Sequence, residues 1–411
     1  MPLTKNTKSN PFKLLGPGLL FAGASIGVSH LVMSTRAGAD FGFGLLWALF
    51  LVHLFKYPFF QYGPRYATAT GESLLDGYRK LGKGVLIFYF ILSFVVMFTI
   101  QAAVTIVTAG LAINLFGLTD NPITWSFIIT IIGLLILIVG RYNLLDNLMK
   151  IIIIILSVST ITAVMVAVFN TDKAFNLTQI LPQGTIEISF LIAFLGWMPS
   201  PLDISIWHSL WAIEKKRDNL EFDTKKSIFD FNIGYLGTIF LGFCFMSLGA
   251  LVMFGSEEKF SDSAGQFAHQ LIGLYTENMG ESMHLIIGIA AFTTMFSTTI
   301  TTLDASPRAM SKTTELLSNK KNNKLYWIWI SILFVGTMLI LKYFISEMGA
   351  LVKLATILSF LTAPFYAVIN FLLISGKHTP KEWRPSLGMK ILSYLGIIFL
   401  IGFNIWYLIN L

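Results

Sequence analysis

Two ionisable side chains stand inside apolar runs, each beside a stretch poor in helix-forming residues. His30 follows Gly23, Ser25, Gly27 and Ser29 in "GPGLLFAGASIGVSHLVMSTRAGAD", and Asp203 follows Pro199 and Pro201 in "FLGWMPSPLDISIWHSLW". Brought together, an imidazole nitrogen and a carboxylate oxygen could hold a transition metal, helped by backbone carbonyls and the Met198 thioether. The same pair could equally titrate protons beside another cargo. Each residue also has a structural reading: Asp203 capping the helix that restarts after the prolines, His30 bonding a carbonyl freed by the glycines. A carboxylate at the bilayer centre costs about 2.5–3.5 kcal/mol on insertion scales, so function is the first expectation for Asp203.

These residues must be positioned by membrane helices. Of 411 residues 55% are hydrophobic and 12% charged, and the mean hydropathy is +0.72, which no soluble surface tolerates. Spanning about 30 Å of hydrocarbon takes roughly 20 helical residues. Runs of that kind fall at 14–37, 44–66, 84–114, 121–140, 146–169, 186–212, 228–254, 283–311, 325–343, 346–375 and 389–410. With the N-terminus cytoplasmic, inside segments hold 23 of the 29 Lys and Arg, including "EKKRDNLEFDTKK", and outside loops hold only Lys173, Lys259 and Lys342. That bias predicts an eleven-span topology with the N-terminal tail 1–13 inside and the C-terminus outside. The expected location is a bacterial inner membrane, with the lipid bilayer as the main partner. The outside loop 255–282 is acidic and predicts a surface helix near 264–276.

Other classes are poorly served. The net charge of +7 comes from basic residues between apolar runs, not from a folded basic face, so no nucleic-acid partner is expected. The single Cys244 excludes an intramolecular disulfide. No glycine-flanked catalytic serine, paired intramembrane aspartates or His-Glu-x-x-His motif suggests an enzyme, and no cofactor is expected. A channel would need filter loops or rings of like residues. The first thirteen residues are polar and basic, and the apolar run after them is long and lacks a small-residue cleavage pattern, which predicts a retained first helix.

Pro199 and Pro201 lack N–H groups, so carbonyls near Leu195 and Trp197 lose their normal partners. Unpaired backbone persists in hydrocarbon only where protein covers it or where it lines a cavity. Span one breaks by glycine and span six by proline, one interruption at the start of each five-helix half (14–169 and 186–375). That is the pattern of inverted-repeat secondary transporters, whose broken helices meet at a substrate site. The substrate candidates are Ala24, Gly27, Ser29, His30, Trp197, Met198, Pro201 and Asp203, with His30, Asp203 and Met198 as candidate metal ligands.

"GPGLLFAGASIGVSHLVMSTRAGADFGFGLLW" resembles the first helix and following loop of the natural resistance-associated macrophage protein (Nramp) family of divalent-metal transporters. The similarity continues into "GESLLDGYRK", "IWHS" and "STTIT". It implies an all-α, LeuT-type fold of ten core helices plus an eleventh (389–411), with helices one and six unwound at mid-membrane. The family's first-helix metal motif is Asp-Pro-Gly-Asn, and here Gly27, Val28, Ser29 and His30 stand in its place. The family's Met-Pro-His in span six aligns with Pro201, Leu202 and Asp203, or, shifted, with Met198-Pro199. Acidic residues that the family uses for protons in span three are absent between Gly77 and Thr119; Ala102 and Thr105 stand nearest, with Gln101 as pathway lining or helix glue.

Span eight offers another coupling chemistry. In "AFTTMFSTTITTLDASPR" the hydroxyls of Ser297, Thr298 and Thr301, with Asp203, are candidates for a coupling ion such as sodium, which takes oxygen ligands from the first and eighth helices in LeuT-type proteins. Threonines in membrane helices also bond their own backbone. Lys56 and Lys353 lie in spans, where their stems can snorkel, pair or line a vestibule. Arg36 is expected at the outer end of span one. The leading reading is a secondary transporter of a divalent metal cation, and the alternative is a small organic solute or anion on the same fold, possibly sodium-coupled. The oligomeric state is not legible.

Overall fold

The computed structural model describes residues 16–139, 142–170, 176–219, 221–256, 258–280, 283–343 and 347–410. The expected tail 1–13, Arg141 and Lys173 lie outside the described residues. The described chain is helical: α1 (Pro17–Ser25), a π-helical stretch Ser29–Ser34, α2 (Thr35–Phe41), α3 (Leu46–Thr70), α4 (Leu74–Leu81), α5 (Lys83–Phe116), α6 (Pro122–Val139), α7 (Tyr142–Asn170), α8 (Thr185–Trp197), α9 (Ile204–Asp218), α10 (Thr224–Val252), α11 (Ala264–Met279), α12 (His284–Ser318), α13 (Leu325–Tyr343), α14 (Met348–Ser375) and α15 (Leu387–Ile409).

Each of the eleven expected passes is matched by a helix or a helix pair. Among the described residues seven helices are long and apolar enough to cross a bilayer by themselves, and α1 with the 29–41 segment makes an eighth, bent by 45°. α3 is more polar, carrying His53, Lys56, Gln61 and Arg65, and α8 has only 13 residues before the proline break. α5, with 34 residues, would be about 51 Å long at 1.5 Å per residue, more than the bilayer needs, so it tilts or projects beyond it. Large apolar side chains such as Ile91, Leu135, Val158 and Ile398 face outward, as lipid contact requires. The surface helix expected in the 255–282 loop is α11, which packs on α5.

The short α4, from the "GESLLDGYRK" stretch, begins with a capping box: Asp76 N–H donates to Ser73 Oγ at 3.3 Å, and Ser73 N–H to Asp76 Oδ2 at 3.0 Å. α1 is clamped on α10, where Asp230 accepts from the N–H groups of Gly16 (3.0 Å) and Gly18 (2.7 Å). A carboxylate there meets the positive end of the helix dipole. Gly18 permits this approach, since a Cβ would stand 2.2 Å from the Asp230 carbonyl oxygen. α8 packs on α14, α9 on α3, and α12 on α5, so both interrupted passes are enclosed by protein.

Candidate functional site between two interrupted helices

In the first pass the regular ladder fails at Gly27, whose N–H turns to the Ser25 carbonyl at 2.9 Å. In the sixth pass α8 stops at Trp197, the Met198-Pro199 peptide is cis, and α9 starts at Ile204. The two breaks face one cavity of about 30 Å³. Its wall takes Ala24, Ser25, Val28 and Ser29 from the first pass, and Trp197, Ser200, Pro201, Ile204 and Trp207 from the sixth. Ile100 and Val104 of α5 and Thr298 and Thr302 of α12 close it. A space of that size admits one ion or one to two waters, far less than the ~300–1,000 Å³ of clefts for drug-sized ligands.

Of the residues singled out by sequence, Ala24, Ser29, Trp197, Pro201 and Thr298 lie on this wall. Gly27 stands against Thr298: a Cβ on it would be 2.8 Å from Thr298 Oγ1 and 3.0 Å from Thr298 Cγ2. Only glycine lets the first break approach α12 this closely. Ser297 and Thr301 are buried on α12 but not on the wall, and Ser297 Oγ has no hydrogen-bond partner.

His30, Met198 and Asp203 are also not on the wall, and the three are not brought together there. His30 Nδ1 lies 2.7 Å from Ser29 Oγ and 3.1 Å from the Ser25 carbonyl oxygen, while Nε2 lies 2.9 Å from the Thr238 carbonyl oxygen of α10. The Met198 side chain is fully buried. Asp203 precedes α9 without making a capping hydrogen bond, and its Oδ1 has no partner. Its electrostatic neighbours are Lys56, Tyr78, Tyr89 and Tyr366, on the flank formed by α3, α4, α5 and α14. Among the described residues no three His, Cys, Asp or Glu side chains are grouped to hold a metal.

Four further wall residues with polar groups were not among the substrate or coupling-ion candidates: Ser25, Ser200, Thr302 and Trp207. Ser25 matters most, because its buried Oγ has no partner and borders the cavity. A buried hydroxyl left unpaired costs about 1–3 kcal/mol, so it is poised to bind something in that space. Its signal was the serine two residues before Gly27, where a ladder break frees both backbone and side chain. Gln101 serves as helix glue: its amide donates to Thr105 Oγ1 (3.2 Å) and the Thr299 carbonyl (3.3 Å), and it accepts from Thr302 Oγ1 at 2.6 Å.

Vestibules lie on both sides. One of about 850 Å³, beside the 255–282 connection, reaches Val32 and Ala193, about one helical turn from the wall residues Val28 and Trp197. It carries Asp40, Glu187, Glu258, Asp262 and Glu347 against Arg36, Lys259 and Lys353. Arg36 clamps it, donating from Nη1 to Asp262 Oδ1 at 3.0 Å and from Nη2 to the Ser261 carbonyl. The opposite vestibule, about 500 Å³, reaches Leu210, one turn from Trp207. There Arg308 Nε donates to Asp304 Oδ2 (2.6 Å), Tyr326 donates to Asp304 Oδ1 (2.5 Å), and Lys312 pairs with Asp76 (2.9 Å).

Among the described residues the chain is an all-helical bundle with two interrupted passes around a buried cavity, which is the LeuT-type fold. The family model described as natural resistance-associated macrophage protein-like matches residues 18–410, and the chain belongs to that family. The protein named Uncharacterized protein PM0681 of Pasteurella multocida (strain Pm70) is 34% identical over 408 residues, covering 97% of this chain and 94% of that one. A mutant of the manganese transporter of Eremococcus coleocola superposes with a TM-score of 0.75 at 14% identity, covering 99% of this chain and 88% of that one. MHP1, a nucleobase-cation-symport-1 family transporter in a closed conformation with bromovinylhydantoin bound, gives a TM-score of 0.62 at 14% identity, covering 97% and 92%. MhsT in complex with L-phenylalanine gives 0.59 at 12%, covering 96% and 97%.

Proposed function

We propose that the protein is a secondary active transporter that moves a small ion, a divalent metal cation first among them, by alternating access through the cavity between the two interrupted passes. The observation that carries this reading is the cavity itself, walled from both breaks, bordered by the orphaned Ser25 hydroxyl and separated by about one helical turn from a vestibule on either side. Charge counting along the sequence makes the larger vestibule the external one. Its five carboxylates against three basic groups raise the local concentration of cations. Family membership supports the metal cargo, and the manganese transporter among the structural relatives carries such an ion.

The wall offers hydroxyl oxygens and no thioether, carboxylate or imidazole. Such a set suits a hard cation that retains part of its water shell, magnesium or manganese rather than copper or zinc. A second reading, a small anion, is favoured by the missing carboxylate and by the Lys56 ammonium against the Ser200 carbonyl at the edge of the cavity. Uptake into proteoliposomes decides between them. Magnesium, manganese, chloride and bicarbonate are supplied under imposed proton or sodium gradients, with a Ser25→Ala variant alongside. Saturable uptake of a divalent cation, weakened in Ser25→Ala, is the expected result. Uptake of none of them together with a steady ionic current would sink the transporter reading.

A further inference from the structure

Lys56 sits on α3 with no exposed surface, and it does not reach for either membrane interface. Its Nζ is surrounded by four main-chain carbonyl oxygens of the sixth pass: Leu195 and Gly196 at 2.7 Å, Met198 at 3.0 Å and Ser200 at 3.2 Å. The reason lies in the two prolines. The Leu195 carbonyl would normally receive the N–H of residue 199, and Pro199 has none. Carbonyls at the end of α8 are left over, and they converge at the negative end of its dipole.

Main-chain carbonyls aimed at one point are the ligand chemistry of a dehydrated monovalent cation. A primary ammonium meets the four oxygens with three N–H donors, one of them shared between two carbonyls, whereas a neutral amine would point its lone pair at one of the oxygens. Asp203, six residues beyond the end of α8, lies within electrostatic range of the ammonium. The four carbonyl dipoles offset the desolvation of the buried ion.

We propose that the carbonyls of Leu195, Gly196, Met198 and Ser200 form a monovalent-cation site whose permanent occupant is the Lys56 ammonium. The tethered ion holds the interruption of the sixth pass in shape and denies these oxygens to a transported or coupling ion. Lys56 is thus a positioning residue that removes one cation site from the transport cycle. The inference does not depend on which cargo the central cavity carries.

The test uses the full chain in detergent, purified in potassium chloride and exchanged into choline chloride, as wild type, Lys56→Ala and Lys56→Met. The readout is the thermal unfolding midpoint as potassium, ammonium, methylammonium or sodium is added back. Both variants are expected to unfold about 5 °C or more below wild type in choline. Lys56→Ala should recover saturably with potassium, ammonium or methylammonium, because the vacated space accepts a free cation. Lys56→Met should not recover, since its side chain refills that space, and wild type should be indifferent. A Lys56→Met midpoint equal to wild type in choline would overturn the proposal, because the carbonyls would then need no cation. So would a Lys56→Ala protein that no cation stabilises, or one that cannot be recovered folded even from potassium.

Discussion

The Nε2 atom of His30 lies 2.9 Å from the carbonyl oxygen of Thr238, which ties the broken first pass to α10. Its other ring nitrogen is 2.7 Å from Ser29 Oγ and 3.1 Å from the Ser25 carbonyl oxygen, to which the Ser29 hydroxyl itself donates. Removing the ring deletes its contacts to both elements and leaves a void where a fully buried side chain packs against Phe245. His30→Ala should therefore cost ~2–5 kcal/mol of stability, the class of a large-to-small change in a packed interior. His30→Gln, which can still donate to Thr238, should cost less. Thermal unfolding measures the first effect and cargo titration the second: the affinity of the folded fraction should change little. A His30→Ala protein of wild-type stability that no longer binds cargo would make the residue a ligand instead.

Gly27 sets how tightly the first break closes on α12. An added methyl would press on Thr298 at 2.8 and 3.0 Å, and overpacking of this kind costs ~1–3 kcal/mol. If that penalty falls on the closed, cargo-holding state, uptake by Gly27→Ala drops by about 5- to 150-fold. Gly237→Ala is the control, because a Cβ there meets nothing within 4 Å. Equal uptake by the two variants would show that Gly27 and Thr298 do not gate the cavity.

The passes and their breaks were legible in the sequence because lipid imposes rules that residue types reveal. A span needs about 20 apolar residues, and Pro199 and Pro201 cannot continue α8 whatever surrounds them. The walls of the cavity were not legible. Ser29 and His30 are neighbours, yet one borders the cavity and the other turns to α10. Which way a side chain points beside a ladder break depends on dihedrals that no periodicity specifies. Lys56 shows a signal that was present and underused. The prolines announced carbonyls without donors near Leu195, and a lysine buried in an apolar span needed acceptors. Matching the two required knowing that α3 passes beside the break, a contact across 139 residues of chain.

Arg36 and Asp262 bridge the first pass to the 255–282 connection across the larger vestibule. The Asp262 side chain is 61% exposed, so the pair contributes about 0–1 kcal/mol to stability and weakens with salt. Asp262→Ala should leave the unfolding midpoint nearly unchanged. Its effect should appear instead in accessibility: a cysteine substituted for Val32, on the floor of that vestibule, should react faster with a water-soluble maleimide when Asp262 is absent. Unchanged reactivity would mean that Arg36 holds the clamp through the Ser261 carbonyl alone.

At the opposite end, Arg308 donates to Asp304, whose side chain is only 3% exposed. Tyr326 also donates to Asp304, from the neighbouring α13. Removing the arginine alone leaves the buried carboxylate with the Tyr326 donor but no counter-charge, and because the arginine is itself 41% exposed the loss is about 1–3 kcal/mol. Removing both charges leaves a neutral amide that can still accept from Tyr326. Arg308→Met should therefore be markedly destabilising, while the Asp304→Asn, Arg308→Met double variant should regain much of that loss. The measurement is a double-mutant cycle on thermal or denaturant unfolding, and additive penalties would show that the two charges do not depend on each other. Because Arg308 also lies 3.4 Å from Glu214 of α9, the same double variant frees the interrupted sixth pass from α12. It should then open the vestibule on that side even where stability has been restored, which labelling of a cysteine placed at Leu210 would report.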